Sequence, residues 1–434
     1  MRIPSSLMRV GLALAAAVGC GPASARVELG APAAAADVTV GCMFPMTGRS
    51  GIYGRDSVGG IRVALERLAR DRGKGVPRIR VVVEDYRSKV SYAVRIAEDF
   101  VRRDRARFLC GVVSSGVGQA VSRFAAENDV IFVGTDHASS RLTIEELHPR
   151  YFRVTNDTYA SMAAGARYLA DLRQRAPWRR IAFIGADYDY GHVSLEDLRT
   201  SLDALGVRYE VVAELWPKLY EPDYSPYIRA LQAAKPDIVV AALWGGDFNA
   251  FLKQAAATSF FEHVRLANFD TGGNYDVMVE LGSTPPPGLI LSARHHNNWP
   301  DTPLNRWFVT TFHAIEGRYP TYAAEGAYSG IMAIASAVAR AGGVRSTDRL
   351  VKALEGLTLD LPEDPPGYRS RIDPATHQIA QAQAIGEVVP DASFPPAQVM
   401  LGRWSVYAPE LLQPSPEVIR RRREKARERA HAVE

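Results

Sequence analysis

Short β-branched runs alternate with longer amphipathic segments along most of this chain. "VTVGCMF" from Val38 reads as a buried strand, "SVGGIRVALERLARD" as a helix, "RIRVVVED" as a strand and "VSYAVRIAEDFVRR" as a helix. "ARFLCGVV", "GQAVSRFAAEN" and "VIFVGT" continue as strand, helix and strand. Strands so evenly apolar are covered on both faces, as in a parallel sheet held between layers of helices. The alternation begins again at the helical "YASMAAGARYLADLRQ" and runs through the strands "RIAFIGA", "YEVVAELW", "DIVVAALW" and "VRLANFD", with a helical stretch before each of the later ones. An α/β protein of two doubly wound parallel-sheet units is therefore expected. After "PPPGLILSARHH" the chain is expected to return, and "TYAAEGAYSGIMAIASAVARAGG" reads as a long apolar helix packed on the first sheet. From about residue 356 the pattern turns irregular, with the Pro, Gly and Asp of turns in "LPEDPPGYRSRIDPATHQ".

A chain of 434 residues, 47% hydrophobic and 23% charged, is long enough for two cored domains. Its formal net charge of +4 comes largely from the closing "IRRRREKARERAHAVE", and the near-neutral body gives no case for nucleic acid. Residues 411–434 are accordingly expected to form a charged helix or a disordered tail, with a solvated basic C-terminal tail the preferred reading. At the other end Arg2 and Arg9 precede "VGLALAAAV" and the small residues Ala23-Ser24-Ala25. This reads as an export signal over residues 1–25, cleaved before Arg26, with an apolar run too short for the roughly 20 residues of a bilayer span. Cys20 in "AVGC" is a competing lipidation site, although Ala17 and Val18 fit a lipoprotein box poorly. Cleavage after Ala25 leaves Cys42 and Cys110, both at the ends of apolar runs. An exported protein can oxidise them, and two buried thiols are the alternative, because sequence does not fix their separation.

Catalytic motifs are missing where they would be needed. Around Ser114 the residues Val112-Val113-Ser114-Ser115-Gly116 lack the first glycine of a nucleophile elbow. "SGVGQAV" lacks the third glycine of a dinucleotide fingerprint, and there is no phosphate loop. His295 and His296 are neighbours that point apart on a strand, with no further ligand at metal spacing. No catalytic set, cofactor or metal is expected. What remains is hydroxyl residues at strand ends: Ser114 and Ser115 before one helix, and Asp136 to Ser140 after the next strand. Helix N-terminal N–H groups and serine hydroxyls together can hold a carboxylate, and in open α/β sheets ligands bind beyond the carboxyl ends of strands. Simple helix capping is the plainer reading of the same serines.

The blocks "GCMFPMTGRSGIYGRDSVGGIRVALERL", "GVVSSGVGQAVSRFAAENDVIFVGTDHASSRLT", "RYFRVTNDTYASMAAGARYLA", "YDYGHVSLEDLRTSLDALG" and "EPDYSPYIRALQAAKPDIVV" resemble the periplasmic solute-binding proteins of branched-chain amino acid ABC transporters, the type I, leucine/isoleucine/valine-binding-like group. The resemblance runs in order from about residue 38 to at least 342. It implies two lobes joined by three crossover strands and closing on a ligand by a hinge motion. The first lobe would take residues 37–155 and 289–355, and the second 156–288 and 356–410.

Carried over by position, the Ser115 hydroxyl and a neighbouring backbone N–H would hold the ligand carboxylate, with Ser114 beside it a further candidate from the strand-end reading. Asp136, His137 and Ala138 would form the adjoining strand end, Tyr53, Tyr190 and Trp244 the walls, and Asp270 the partner of the ligand's ammonium. The chain departs from the pattern at Ala138, where the family has a threonine, with Ser139 and Ser140 near enough to substitute. Asp136 would set a negative charge beside the carboxylate unless it turns away or pairs with His137. The implied function is an extracytoplasmic, monomeric binding protein that captures an amino acid or an aromatic or carboxylate compound and delivers it to an ABC permease in the inner membrane. A sensor of the same fold is the alternative, and a hydrolase lacks its nucleophile and base. The basic tail would then be free to touch anionic lipid or the permease.

Overall fold

The β-branched runs become the strands of two sheets, and the amphipathic segments cover them. The computed structural model describes residues 26–71, 73 and 75–431, so the export signal and Cys20 lie outside the described residues. The first unit contains β1 (Val27–Gly30), β2 (Val38–Phe44), α1 (Gly51–Arg70), β3 (Ile79–Asp85), α2 (Val90–Arg102) and β4 (Phe108–Gly111). It continues with α3 (Ser115–Glu127), β5 (Ile131–Gly134) and β6 (Tyr151–Arg153). The sheet order is β1-β3-β2-β4-β5-β6, with β1 antiparallel to β3 and the rest parallel. β1 precedes the expected start of the lobe at residue 37, and none of its four residues is buried, so no apolar run announces it.

The second unit runs through α4 (Thr158–Arg175), β7 (Arg180–Gly185), α5 (Asp189–Ala204), β8 (Glu210–Leu215), α6 (Ser225–Ala234) and β9 (Ile238–Ala242). α7 (Gly245–Ala256), α8 (Phe260–His263), β10 (Arg265–Asn268), α9 (Tyr275–Leu281) and β11 (Leu289–Ser292) follow. The chain then returns as α10 (Pro303–Glu316), α11 (Tyr322–Ala341), α12 (Thr347–Leu354) and the short strands β12 (Thr358–Leu359), β13 (Ser370–Ile372) and β14 (Ile379–Ala380). β15 (Gln383–Pro390), β16 (Val399–Tyr407) and α13 (Pro416–His431) end it. The second sheet has the order β16-β15-β11-β10-β9-β7-β8, parallel from β8 to β11 and antiparallel at β15 and β16.

Two of the expected lobe boundaries are corrected. β11 pairs with β10 inside the second sheet, so the return to the first lobe begins after Ser292 rather than at residue 289. Leu359, Leu361, Ile372 and Ile379 bury themselves in the first lobe's core, so residues from 356 to about 380 belong there and not to the second lobe. The irregular sequence concealed this, because strands of two or three residues are too short for a period to register. The chain thus crosses between lobes after Arg153, after Ser292 and between Ala380 and Gln383.

α11 packs against α1 so closely that a Cβ on Gly60 would overlap the carbonyl oxygen of Ala324. Only glycine permits this approach, which buries Ile331, Ile334 and Val338 over the first sheet. Cys42 on β2 and Cys110 on β4 are directly paired positions of adjacent strands, their Cα atoms 4.5 Å apart, and form a disulfide. The basic tail takes the charged-helix form as α13, most of whose described residues are exposed, and the solvated reading fails at Arg422. Arg422 is buried and donates to Glu145 of the first lobe (2.9 and 3.0 Å), to Asp197 of α5 (2.7 Å) and to the Ser140 hydroxyl (3.1 Å). Two carboxylates from distant parts of the chain compensate its desolvation, which a local reading of charge cannot anticipate.

Candidate functional site

Each sheet reverses its strand order once, and the two reversals face each other. In the first sheet β2 lies between β3 and β4; in the second β7 lies between β8 and β9. Chain leaving such neighbouring strands splays apart and opens a crevice at their carboxyl ends. Val113, Ser115, Asp136 and Ala138 from the first lobe meet Tyr188, Tyr190, Trp244 and Thr271 from the second, and with Arg294 and Tyr322 they line a closed cavity of about 10 Å³, room for about one water. The lobes touch beside it through Arg49 and Asp247 (3.2 Å) and through Ser50 and Tyr220 (3.1 Å).

Five of the nine expected site residues, Ser115, Asp136, Ala138, Tyr190 and Trp244, line this cavity. Ser115 opens α3, and its hydroxyl oxygen accepts from the Ser139 N–H at 3.2 Å. No acceptor takes the Ser115 proton among the described residues. Trp244 Nε1 donates to the Tyr188 hydroxyl at 2.9 Å, which fixes the indole at the head of α7. Tyr53 stands behind the wall, its ring 5.5 Å from Tyr322 and 6.1 Å from Trp244. Its hydroxyl donates to Asp276 at 3.3 Å.

The remaining three residues have other duties. Ser114 is the residue before α3 and does not line the cavity; its carbonyl accepts from the Gly118 N–H. His137 turns into the first lobe, with Nδ1 3.1 Å from the Val112 carbonyl and Nε2 2.8 Å from the Tyr151 hydroxyl. Its ring fills the space above Gly118 and Gly134, where added Cβ atoms would come within 2.6 and 2.7 Å of it. Burial, and secondarily the nearby Arg153 charge, push its pKa down to about 3, so it stays neutral. Of the two ways open to Asp136, pairing with His137 is not the one taken: His137 turns to Tyr151 while Asp136 meets Arg294. Ser140 also leaves the cleft, donating to Asp197 at 2.8 Å.

Asp270 is buried but not open to a ligand. Its oxygens accept from Arg294 Nε (2.9 Å) and Nη2 (2.7 Å), from the Ser161 hydroxyl (3.0 Å) and from the Tyr190 hydroxyl (2.9 Å). Arg294 also contacts Asp136, through its backbone carbonyl and through Oδ1 at 3.2 Å, and its guanidinium lies 4.8 Å from the centre of the Tyr322 ring. Burial raises the Asp136 carboxyl to about 7; Arg294 opposes that rise and Asp270 adds to it. Val113, Tyr188, Thr271, Arg294 and Tyr322 were not anticipated. The signal for Arg294 was there: "LILSARHH" sets a single guanidinium two residues beyond an apolar strand end.

A family model described as periplasmic binding protein matches residues 37–393. Leu/Ile/Val-binding protein homolog 1 of Brucella abortus is 27% identical over 239 residues, 54% of this chain and 58% of that protein. The chain thus spans somewhat over half the length of that curated relative. A periplasmic binding protein from Burkholderia mallei superposes with a TM-score of 0.78 at 21% identity, covering 89% of this chain and 98% of the other. A solute-binding protein of an ABC transporter from Rhodopseudomonas palustris BisB5, solved with 3,4-dihydroxybenzoic acid, gives 0.74 at 21% identity over 88% and 99%. With two facing doubly wound lobes, three crossings and a cavity at the strand-order reversals, the chain belongs to the periplasmic binding protein family.

Proposed function

We propose that the protein is an extracytoplasmic solute-binding protein that holds a small molecule between its lobes and delivers it to an ABC permease in the inner membrane. The observation that carries this reading is the cavity itself, whose walls come from strand ends of both lobes. Such a site is complete only when the lobes are together, so ligand binding and closure are one equilibrium. Ser115 and the head of α3 supply donors for an acid group, and Tyr188, Tyr190, Trp244 and Tyr322 supply flat apolar faces. Relatives named for leucine, isoleucine and valine, and a neighbour holding 3,4-dihydroxybenzoic acid, bracket the ligand between amino acids and aromatic acids. Micromolar affinity, about 8 kcal/mol, is within reach of these contacts. The protein acts as a monomer in the periplasm, reached through the N-terminal export signal.

Calorimetric titration of the mature protein with both ligand classes tests this, combined with small-angle scattering. Saturation should reduce the radius of gyration, and Trp244→Ala should weaken binding at least tenfold. A ligand whose affinity is the same in Trp244→Ala and Ser115→Ala would refute the cleft as the site.

A further inference from the structure

Arg294 lies in the cleft between acids of both lobes. We propose that it occupies the place at which an α-amino acid would put its ammonium group, and so restricts the cleft to carboxylate ligands without an amine. The proposal rests on the cleft being the ligand site.

The argument begins with Asp270. A carboxylate offers about four acceptor positions. Arg294 Nε and the Ser161 hydroxyl take those of Oδ1, while Arg294 Nη2 and the Tyr190 hydroxyl take those of Oδ2. An incoming ammonium therefore finds no open acceptor there. To gain one it would have to displace Arg294, leaving a buried guanidinium without its bidentate partner. The other acid in the cleft is Asp136, whose Oδ2 is buried and has no hydrogen-bond partner among the described residues. An ammonium bound there would sit beside the guanidinium that already reaches Asp136 Oδ1, and the two like charges would repel in a site with little water. A neutral hydroxyl carries no such penalty.

The remaining donors suit an acid. Of the five guanidinium N–H groups, one on Nη2 is left after the bonds to Asp270 and Asp136, and Ser115 keeps its hydroxyl proton. The cleft thus presents spare donors for a carboxylate, an unpartnered Asp136 Oδ2 that can pair with a hydroxyl whether it is protonated or not, and aromatic walls. An α-amino acid matches the donors but meets Arg294 where its amine belongs.

The test uses pairs that differ only in the amine: L-phenylalanine against 3-phenylpropanoate, and L-leucine against 4-methylpentanoate, with 4-hydroxybenzoate as a hydroxyl-bearing acid. In calorimetric titrations of the mature protein, at least one amine-free acid should bind about tenfold or more tighter than its amino acid counterpart. Arg294→Met exposes Asp270 and should reverse the order. Should the single variant not fold, as judged by its melting curve, Arg294→Met with Asp136→Asn leaves one buried acid rather than two, and the same reversal is expected.

Wild-type protein that binds L-phenylalanine or L-leucine as tightly as the amine-free partner, with that binding lost in Trp244→Ala, overturns the proposal and leaves the cleft as the site. Binding that Trp244→Ala does not alter overturns the cleft reading, and the proposal with it. Failure of every acid in the panel to bind also overturns the proposal.

Discussion

Replacing Arg422 by alanine removes the one side chain among the described residues of α13 that joins acids of both lobes, and the loss follows from its partners. Asp197 titrates at about 6 because burial raises it, with Arg422 the main opposing influence. Without Arg422 this carboxyl takes up a proton rather than remain buried and unpaired. At pH 7.5 that costs 7.5 minus 6, or roughly 1.5 units at about 1.4 kcal/mol each, close to 2 kcal/mol. Loss of the paired bonds to Glu145, whose side chain is 8% exposed, adds about 1 to 2 kcal/mol. The sum, roughly 3 to 4 kcal/mol, lies in the range for removing one member of a buried ion pair. At pH 5.5 the Asp197 part shrinks, since the carboxyl is already largely protonated in the wild type, and about 1 to 2 kcal/mol should remain. Urea unfolding at both pH values measures this, and Asp197→Asn with Arg422→Met should recover much of the loss. A destabilisation under about 0.5 kcal/mol at pH 7.5 would mean that Arg422 behaves as a solvated surface residue. An equal effect at both pH values would remove Asp197 from the account.

Three further outcomes are expected. Reducing the Cys42–Cys110 bond, which closes a sequence separation of 68 residues, should lower stability by about 4 kcal/mol in urea titrations run with and without dithiothreitol. Asp136 keeps in the folded state a proton that the unfolded chain releases near pH 4, so its contribution to stability falls as pH rises toward 7. Between pH 5 and 8 the wild type should therefore lose about 3 kcal/mol relative to Asp136→Asn, and a parallel pair of pH profiles would contradict this. His137→Ala empties the space above Gly118 and Gly134 and leaves Tyr151 and the Val112 carbonyl without their partner. It should cost roughly 3 kcal/mol in melting experiments with ligand affinity nearly unchanged, whereas a tenfold loss of affinity would return His137 to the site.

The alternation of apolar runs and amphipathic stretches contained both doubly wound units, because a strand buried on two faces and a helix buried on one leave different local periods. It also contained the strand ends that form the cleft: Ser115, Ala138, Tyr190 and Trp244 each lie at or within a few residues of a strand's carboxyl end, where the parallel-sheet rule places ligands. Local order stopped being informative where partners come from far away. Asp270 reads as an open acid until Arg294, 24 residues on, is seen to fill it. Asp136 and His137 are adjacent in sequence, yet one faces Arg294 and the other Tyr151. Arg422 looks like one basic residue among many, and its burial depends on Glu145 and Asp197, 277 and 225 residues away. Periodicity reports how much of a side chain is covered, which neighbours along the chain can encode. Charge compensation depends on which groups meet within about 3 Å, and only the folded arrangement of the lobes brings them together.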